Sequence, residues 1–478
     1  MDNKIDRSNL YRQYAEKGQG HLFRFWDELS SIQKKNLLLQ LERIDLDLVN
    51  QLAENHLNGR TKSFDLSDLQ PACYQALPNN KKSFSEWKNA QQIGEGAIRS
   101  GRLAVFTVAG GQGTRLGYQG PKGTYPISPL RSASLFQLFA EKISFASKRY
   151  QVAIPWFIMT SHLNHEATIN FFRDNQFFDL GDNSVHFFNQ GVMPAVDPHG
   201  KMILSSKDAV AMSPDGHGGA FKALLHSGAI DKMKELGCDL LSYFQVDNPL
   251  IHCVDPAFIG FHLDADSEMS SKMIPKNCPE EKVGVFCQSK QGVIVVEYSD
   301  LLLSVKNEKI PSGNLRFHAA NIAVHLLNRN FIERVAQDSS TECSLPFHIA
   351  KKKVPIVDSD GNVGKPENPN GVKFEQFIFD ALPFARNPLV VEVLRKDAFS
   401  PVKNAQGVDS PQTATDDLLR LYARWAIAAG ATLLTDETGL PAFSFEVSPL
   451  FACDQETFTE AYQKVGRPPI QPNLILTP

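Results

Sequence analysis

The run Val108-Ala-Gly-Gly-Gln-Gly-Thr-Arg-Leu-Gly117, closed by Pro121-Lys-Gly123, holds the residues best able to do chemistry in this chain. Glycine leaves no Cβ between backbone N–H groups and a bound anion. A glycine-dense loop between a strand and a helix is therefore how α/β proteins meet a phosphate. Arg115 and Lys122 add two cations beside the same loop. That is more charge than one phosphate requires, and it points to a polyphosphate. A tight turn without a ligand would use one or two glycines and no fixed cations. Two familiar alternatives fail on spacing. A P-loop requires G-x-x-x-x-G-K-[ST], but Lys122 is followed by Gly123. A dinucleotide fingerprint requires G-x-G-x-x-G, but Gly111-x-Gly113-x-x-x-Gly117 puts the third glycine out of step.

Asp247 is the second candidate. It ends the apolar run Leu240 to Val246, at the carboxyl edge where parallel-sheet ligands bind. A hard carboxylate there suits Mg²⁺ or Mn²⁺, which take few protein ligands and keep phosphate oxygens and water. A helix cap or loop aspartate is the plainer alternative. His217 and His252 do not stand at ligand spacing for a transition metal.

The elements that must position these groups can also be read. Leu103-Ala-Val-Phe-Thr-Val108 predicts a buried strand before the loop, and Ser134 to Ile143 an amphipathic helix after it. Further apolar runs at Val152–Thr160, Val185–Phe188, Leu240–Val246, Val283–Cys287 and Val293–Glu297 alternate with helical patterns. Such alternation predicts an α/β protein with a central, Rossmann-like, mostly parallel sheet. Trp26, Leu29, Ile32, Leu37, Leu41 and Ile44 recur at helical spacing. The expected organisation is a helical N-terminal domain over 1–95, a catalytic domain over 96–385 and a small C-terminal α/β domain over 386–478. No hexapeptide period appears, so no β-helical domain is expected.

At 478 residues the chain exceeds what one core serves, in keeping with two or three domains. Its 49 Lys and Arg against 53 Asp and Glu leave a net charge of −4, so no global field recruits nucleic acid or an anionic membrane. A phosphate must be held by local cations instead. Met1-Asp-Asn-Lys-Ile-Asp-Arg7 carries no signal-peptide run, and no later stretch is long enough to span a bilayer. Seven scattered cysteines without a C-x-x-C pair read as reduced core residues of a cytoplasmic protein and argue against zinc.

The loop, read as Ala-Gly-Gly-x-Gly-Thr-Arg-Leu-Gly with a downstream Pro-Lys-Gly, resembles the signature of uridylyltransferases that join UTP to a sugar 1-phosphate. The likeness is greatest to the UDP-N-acetylglucosamine pyrophosphorylases. It continues through Phe187-Phe-Asn-Gln-Gly191, Ser213-Pro-Asp-Gly-His-Gly-Gly219, Gln245-Val-Asp-Asn248, Val296-Glu-Tyr298 and Asn321-Ile322. Further on come Pro369-Asn-Gly-Val-Lys373, Glu392-Val-Leu-Arg395 and Phe399-Ser-Pro-Val-Lys-Asn404, so the likeness spans about residues 20 to 404. It implies a nucleotide-diphospho-sugar transferase fold and an Mg²⁺-dependent enzyme whose partners are UTP and a hexose 1-phosphate.

In that reading a sugar-phosphate oxygen attacks the α-phosphorus of UTP and pyrophosphate leaves. Arg115 and Lys122 neutralise the β- and γ-phosphates. Lys373 also reaches the nucleotide phosphates, and Lys403 reaches the sugar phosphate. Gln190 reads the uracil edge with the Ala109–Gly110 backbone, Gly111 lies in the same loop, and Gly216 packs on the nucleoside. Glu297, Asn321 and the Gly284 backbone are the expected hydroxyl and N-acetyl partners, with Tyr298 beside them. Solvated lysines, a strand-end Gln190 and a core Tyr298 are the bland counterparts. At one position the chain departs from the GlcNAc pattern, Asp-Gly-Asn-Gly-Gly: His217 stands where asparagine is usual, which resembles the UDP-glucose branch. His217 is therefore expected to bear on sugar choice. N-acetylglucosamine 1-phosphate is the expected substrate and glucose 1-phosphate the alternative. A sugar-nucleotide-binding protein without turnover is a further alternative.

Overall fold

Leu103–Val108 forms a strand with parallel neighbours on both sides, Leu240–Gln245 and Trp156–Thr160, and Val185–Asn189 extends the parallel run. The computed structural model describes residues 7–59, 68–337 and 344–478. An inner parallel strand has no solvent face and so must be apolar throughout. Ala104, Val105 and Phe106 are fully buried. Thr107 is the polar exception. Its hydroxyl accepts the Trp156 indole N–H at 2.8 Å, satisfying two groups that burial would otherwise penalise. Alternate residues face opposite sides of the sheet. Val105, Trp156, Ile158 and Phe244 join the core that includes Phe136, Phe139 and Ile143 of helix Leu135–Tyr150. Phe106 instead stacks on Phe188 and meets Tyr243 edge-on, with ring centroids 5.7 and 5.5 Å apart.

Among the described residues the sheet has ten strands, and the half that carries the glycine loop is wholly parallel. Beyond Leu240–Gln245 it becomes mixed. Ala319–Asn328 runs antiparallel to Leu240–Gln245, to Met269–Pro275 and, at Ala320, to Val285–Ser289. Gly292–Val296 forms a hairpin with Val285–Ser289, and Leu389–Glu392 runs parallel to Met269–Pro275.

Packing groups the chain into two units. One combines the described residues of Met1–Asp65, Gln190–Ala220 and Ser344–Asp380, and the other those of Leu66–Asn189, Phe221–Cys343 and Ala381–Pro478. The sequence suggests consecutive domains over 1–95, 96–385 and 386–478, whereas the units are discontinuous. Helix Lys81–Arg99 falls within the second unit and crosses Pro256–Asp264 very closely. A Cβ at Gly94 would lie 1.8 Å from Pro256 O, and one at Gly260 would lie 1.7 Å from Ala90 O. Residues after 386 share that unit's core, where Tyr422, Trp425, Phe458 and Tyr462 join Phe136 and Trp156. The buried Glu446 carboxylate accepts from the Leu130 and Arg131 N–H groups and from the Arg131 guanidinium, which also meets Glu141.

In the first unit, helices Arg7–Glu16, Ser31–Glu42 and Leu46–Leu57 accompany short antiparallel strand pairs. Leu22, Leu37 and Leu41 share a core with Val196, Met202 and Phe374. Among the described residues, no helix is long and apolar enough to cross a membrane.

Candidate active site

Beyond Val108 the chain enters the glycine loop, and its carbonyls are fastened down. Asn164 Nδ2 donates to Ala109 O at 2.9 Å and to Gly111 O at 3.3 Å, on either side of Gly110. The Lys122 N–H also reaches Gly111 O, at 3.0 Å. A phosphate is repelled by carbonyl oxygens, so holding them away leaves N–H groups for it to meet. The glycines divide by role. A Cβ on Gly111 would meet nothing within 4 Å, so that position faces open space. On Gly113 it would lie 2.7 Å from the Tyr118 ring, and on Gly123 2.2 Å from the Phe136 ring. Those two glycines answer to packing rather than to a ligand. Arg115, on the short turn Thr114–Leu116, is exposed and forms no hydrogen bond or ion pair with another described residue. Lys122, after Pro121, is held; its ammonium lies 3.3 Å from the Asp247 carboxylate, and both side chains are largely covered.

Asp247 sits in the turn after Leu240–Gln245, and that turn is stitched to the segment bearing Lys403. The Val402 N–H donates to Asp247 O at 2.8 Å. Asn248 donates to Ala398 O at 2.8 Å and accepts from the Ser400 N–H at 3.1 Å. The Lys403 and Asn404 N–H groups both donate to Asp409 O, at 2.7 and 3.0 Å, and the Lys403 ammonium stands 5.8 Å from the Phe399 ring centroid. Burial raises the Asp409 carboxyl pKa. Lys403 opposes that rise and the Asp247 charge adds to it. Lys122 and Asp247 thus form a charged pair beside a braced turn that is tied to the segment bearing Lys403.

Three of the predicted sugar residues, Gly284, Glu297 and Asn321, gather in the mixed half of the sheet. The Asn321 N–H donates to Gly284 O at 2.9 Å, and a Cβ on Gly284 would lie 3.1 Å from Glu297 Oε1. Asn321 Oδ1 accepts from the Ala323 N–H at 2.9 Å, and Ala323 has φ +55°. A left-handed alanine is costly and bends its strand, and such strain concentrates at functional sites. Tyr298 is 38% exposed and makes no hydrogen bond to another described residue, so the structure does not join it to this group.

Gln190, Gly216, His217 and Lys373 belong to the first unit. Gln190 Nε2 donates to Gly216 O at 2.7 Å and reaches Asp215 Oδ1 at 3.3 Å. Gly216 has φ +84°, and a Cβ there would lie 2.3 Å from Gln376 O, so no other residue fits. His217 is enclosed by the Phe377–Phe379 segment. Its Nδ1 accepts the Ile378 N–H at 3.1 Å, and its ring stacks on Phe377 with centroids 5.2 Å apart. Burial, together with nearby His348, lowers its pKa to about 4. It is therefore neutral near pH 7, with the proton on Nε2. His348 also stacks on Phe377 and bonds Asp380 at 2.7 Å. Lys373 lies on strand Gly371–Glu375, opposite Ala350, and forms no ion pair among the described residues.

Sequence reasoning assigns no role to Asn164 or Asn248. Asn164 precedes helix His165–Asp174, where asparagine ordinarily caps, yet its side chain makes no cap bond. It accepts from the Ser161 N–H and hydroxyl instead, and spends its donors on the glycine loop. Only the folded chain reveals that diversion. Asn248 had a sequence signal, its place directly after Asp247.

Comparison with known proteins bears on this geometry. The family model described as UTP–glucose-1-phosphate uridylyltransferase matches residues 47–435. The UDP-N-acetylhexosamine pyrophosphorylase-like protein 1 of Xenopus tropicalis is 38% identical over 462 residues, which cover 93% of this chain and 90% of the relative. The UDP-N-acetylglucosamine pyrophosphorylase of Saccharomyces cerevisiae is 36% identical over 441 residues, covering 87% and 91%. The crystal structure of the uridine diphosphate N-acetylglucosamine pyrophosphorylase from Trypanosoma brucei matches 100% of this chain and 99% of that one, with a TM-score of 0.82 and 25% identity.

Proposed function

Because the chain belongs to the UTP–glucose-1-phosphate uridylyltransferase family, we propose that it transfers a uridylyl group from UTP to N-acetylglucosamine 1-phosphate. The products are UDP-N-acetylglucosamine and pyrophosphate. The observation that carries this reading is the glycine loop with its carbonyls fastened to Asn164 and Lys122 paired to Asp247 beside it.

A sugar-phosphate oxygen forms the new bond to the α-phosphorus of UTP. The bond from that phosphorus to the bridging oxygen breaks, and pyrophosphate takes the electron pair. The second pKa of a phosphate monoester is about 6, so the nucleophile is already largely dianionic and needs no general base. The barrier lies in bringing two polyanions together, which fixed cations and backbone N–H dipoles lower. Arg115 and Lys122 serve the departing pyrophosphate, Lys373 the nucleotide phosphates and Lys403 the sugar phosphate. With Gln190 Nε2 spent on Gly216 O, its Oε1 is left to accept. An acceptor suits the N3–H of uracil and rejects cytosine, whose N3 is itself an acceptor. Gly284, Glu297 and Asn321 face the sugar in this reading, since buried polar groups left unpaired penalise the wrong hexose.

The residues also fit a hard divalent cation. Asp247 offers one carboxylate, and no group of three His, Cys, Asp or Glu lies together among the described residues. A metal held here would lean on substrate phosphates, which is the habit of Mg²⁺. Bound there, Mg²⁺ or Mn²⁺ would neutralise phosphate charge. A cytoplasmic setting belongs to the same proposal and rests on the scattered cysteines of the sequence.

The test is pyrophosphate release from UTP, Mg²⁺ and a panel of hexose 1-phosphates. N-acetylglucosamine 1-phosphate is expected to give the highest kcat/KM; a clear preference for glucose 1-phosphate would move the sugar to the other branch. Asp247→Asn should raise the metal concentration needed for half-maximal rate, and full activity in excess chelator would end the metal assignment.

A further inference from the structure

We propose that Lys142 is a positioning residue that fixes the Asp247 turn for uridylyl transfer by holding the segment that follows it. Lys142 lies mid-way along helix Leu135–Tyr150, between turns that carry Phe139 and Ile143 into the core. Among the described residues its ammonium forms no ion pair. Its Nζ donates to Pro249 O at 2.6 Å and to Ile251 O at 2.7 Å. The side chain is half-buried, and that burial lowers its pKa from the usual lysine value. Methionine would fill the same space without that cost. The charge is used on two backbone carbonyls, and they belong to the segment that directly follows Asp247.

The same turn is tied elsewhere to the Lys403 segment through the Val402 N–H on Asp247 O and through Asn248 on Ala398 and Ser400. Lys142 therefore completes a bracket. One arm links the turn to the helix that follows the glycine loop, and the other links it to Lys403. The 3.3 Å approach of Asp247 to Lys122 depends on both arms. Lys142 also lines a cavity of about 470 Å³, with Leu138, His252, Tyr422 and Trp425 among its walls. That space admits a small amine from solvent.

The inference rests on the reading of Asp247 as part of the uridylyl-transfer site, and two variants test it. Lys142→Met keeps the length and apolar bulk but removes the charge. Lys142→Ala opens the side chain's path to the cavity. Both should lower kcat by about 10- to 100-fold, as a misplacement of about 1 Å does. Both should also raise the Mg²⁺ concentration for half-maximal rate, while KM for the sugar phosphate changes little. Propylammonium should restore kcat in Lys142→Ala, and 1-propanol should not; neither should help Lys142→Met. Wild-type kcat and Mg²⁺ response in Lys142→Met would overturn the proposal. So would a loss in folded Lys142→Ala that propylammonium leaves untouched. Should Lys142→Ala fail to fold, Lys142→Met decides alone. Absence of transfer by the unaltered protein would instead strike the proposed function.

Discussion

Arg115 and Lys122 share a loop but not a setting: the first is exposed and unpaired among the described residues, the second is pinned against Asp247. In the proposed reaction both charges are wanted most as pyrophosphate leaves, so Arg115→Ala and Lys122→Ala should lower kcat by about 10²–10³-fold. KM for the sugar phosphate should move far less. Near-normal turnover in steady-state assays of either variant would remove its leaving-group role. His217 is a different case. Its sequence position suggests sugar choice, yet its Nδ1 is occupied by the Ile378 N–H and its ring by Phe377. The side chain therefore has a loop to hold. His217→Asn is expected to lower kcat/KM for both sugar phosphates together. A tenfold change in their ratio would return the residue to the sugar pocket.

At the scale of elements, the glycine loop is shaped by a neighbour on another segment. Asn164→Asp keeps the acceptor for Ser161 but turns an oxygen toward Ala109 O and Gly111 O, where Nδ2 now donates. The loop should re-form with its carbonyls free, and affinity for UTP measured calorimetrically should fall steeply. Loss of buried hydrogen bonds should also destabilise the fold by about 1–3 kcal/mol. Unchanged UTP affinity would show that the loop holds its shape without Asn164. The Ala319–Asn328 strand carries a comparable device. Its left-handed Ala323 follows two residues after Asn321, whose side chain accepts the Ala323 N–H.

For the molecule as a whole, two histidines set an acid limit on stability. Burial holds both His217 and His262 at a pKa of about 4, against about 6.5 for a free histidine. The His262 ring nitrogens are engaged with Ser270 Oγ at 2.7 Å and Asn328 Oδ1 at 3.0 Å; the Asn328 bond favours the charged ring, and burial outweighs it. Between those two pKa values the unfolded chain binds protons that the folded chain does not. Stability is therefore full above about pH 6.5 and is lost as pH falls toward 4. Each pKa unit corresponds to about 1.4 kcal/mol per group, so the pair accounts for several kcal/mol at the acid end. Tm should fall steadily from pH 7 to 4.5, and His262→Gln should flatten part of that slope. A Tm independent of pH over this range would contradict the neutral buried rings.

Sequence alone determined the class of sheet and pointed to a phosphate-binding loop on it. A phosphate site built on N–H groups is local, so glycine spacing, Arg115 and Lys122 announce it within a few residues. A buried parallel strand is equally local, and Leu103–Val108 is apolar because both of its faces are covered. Tertiary structure decided the rest. Asn164 meets Ala109 across 55 positions, Lys142 meets Pro249 across 107, and Asn248 meets Ala398 across 150. No spacing rule reaches so far, because hydrogen-bond partners are chosen by the packed geometry and not by neighbours in the chain. For the same reason Lys81–Arg99 reads as part of an N-terminal domain until Gly94 and Gly260 are seen to let two helices touch.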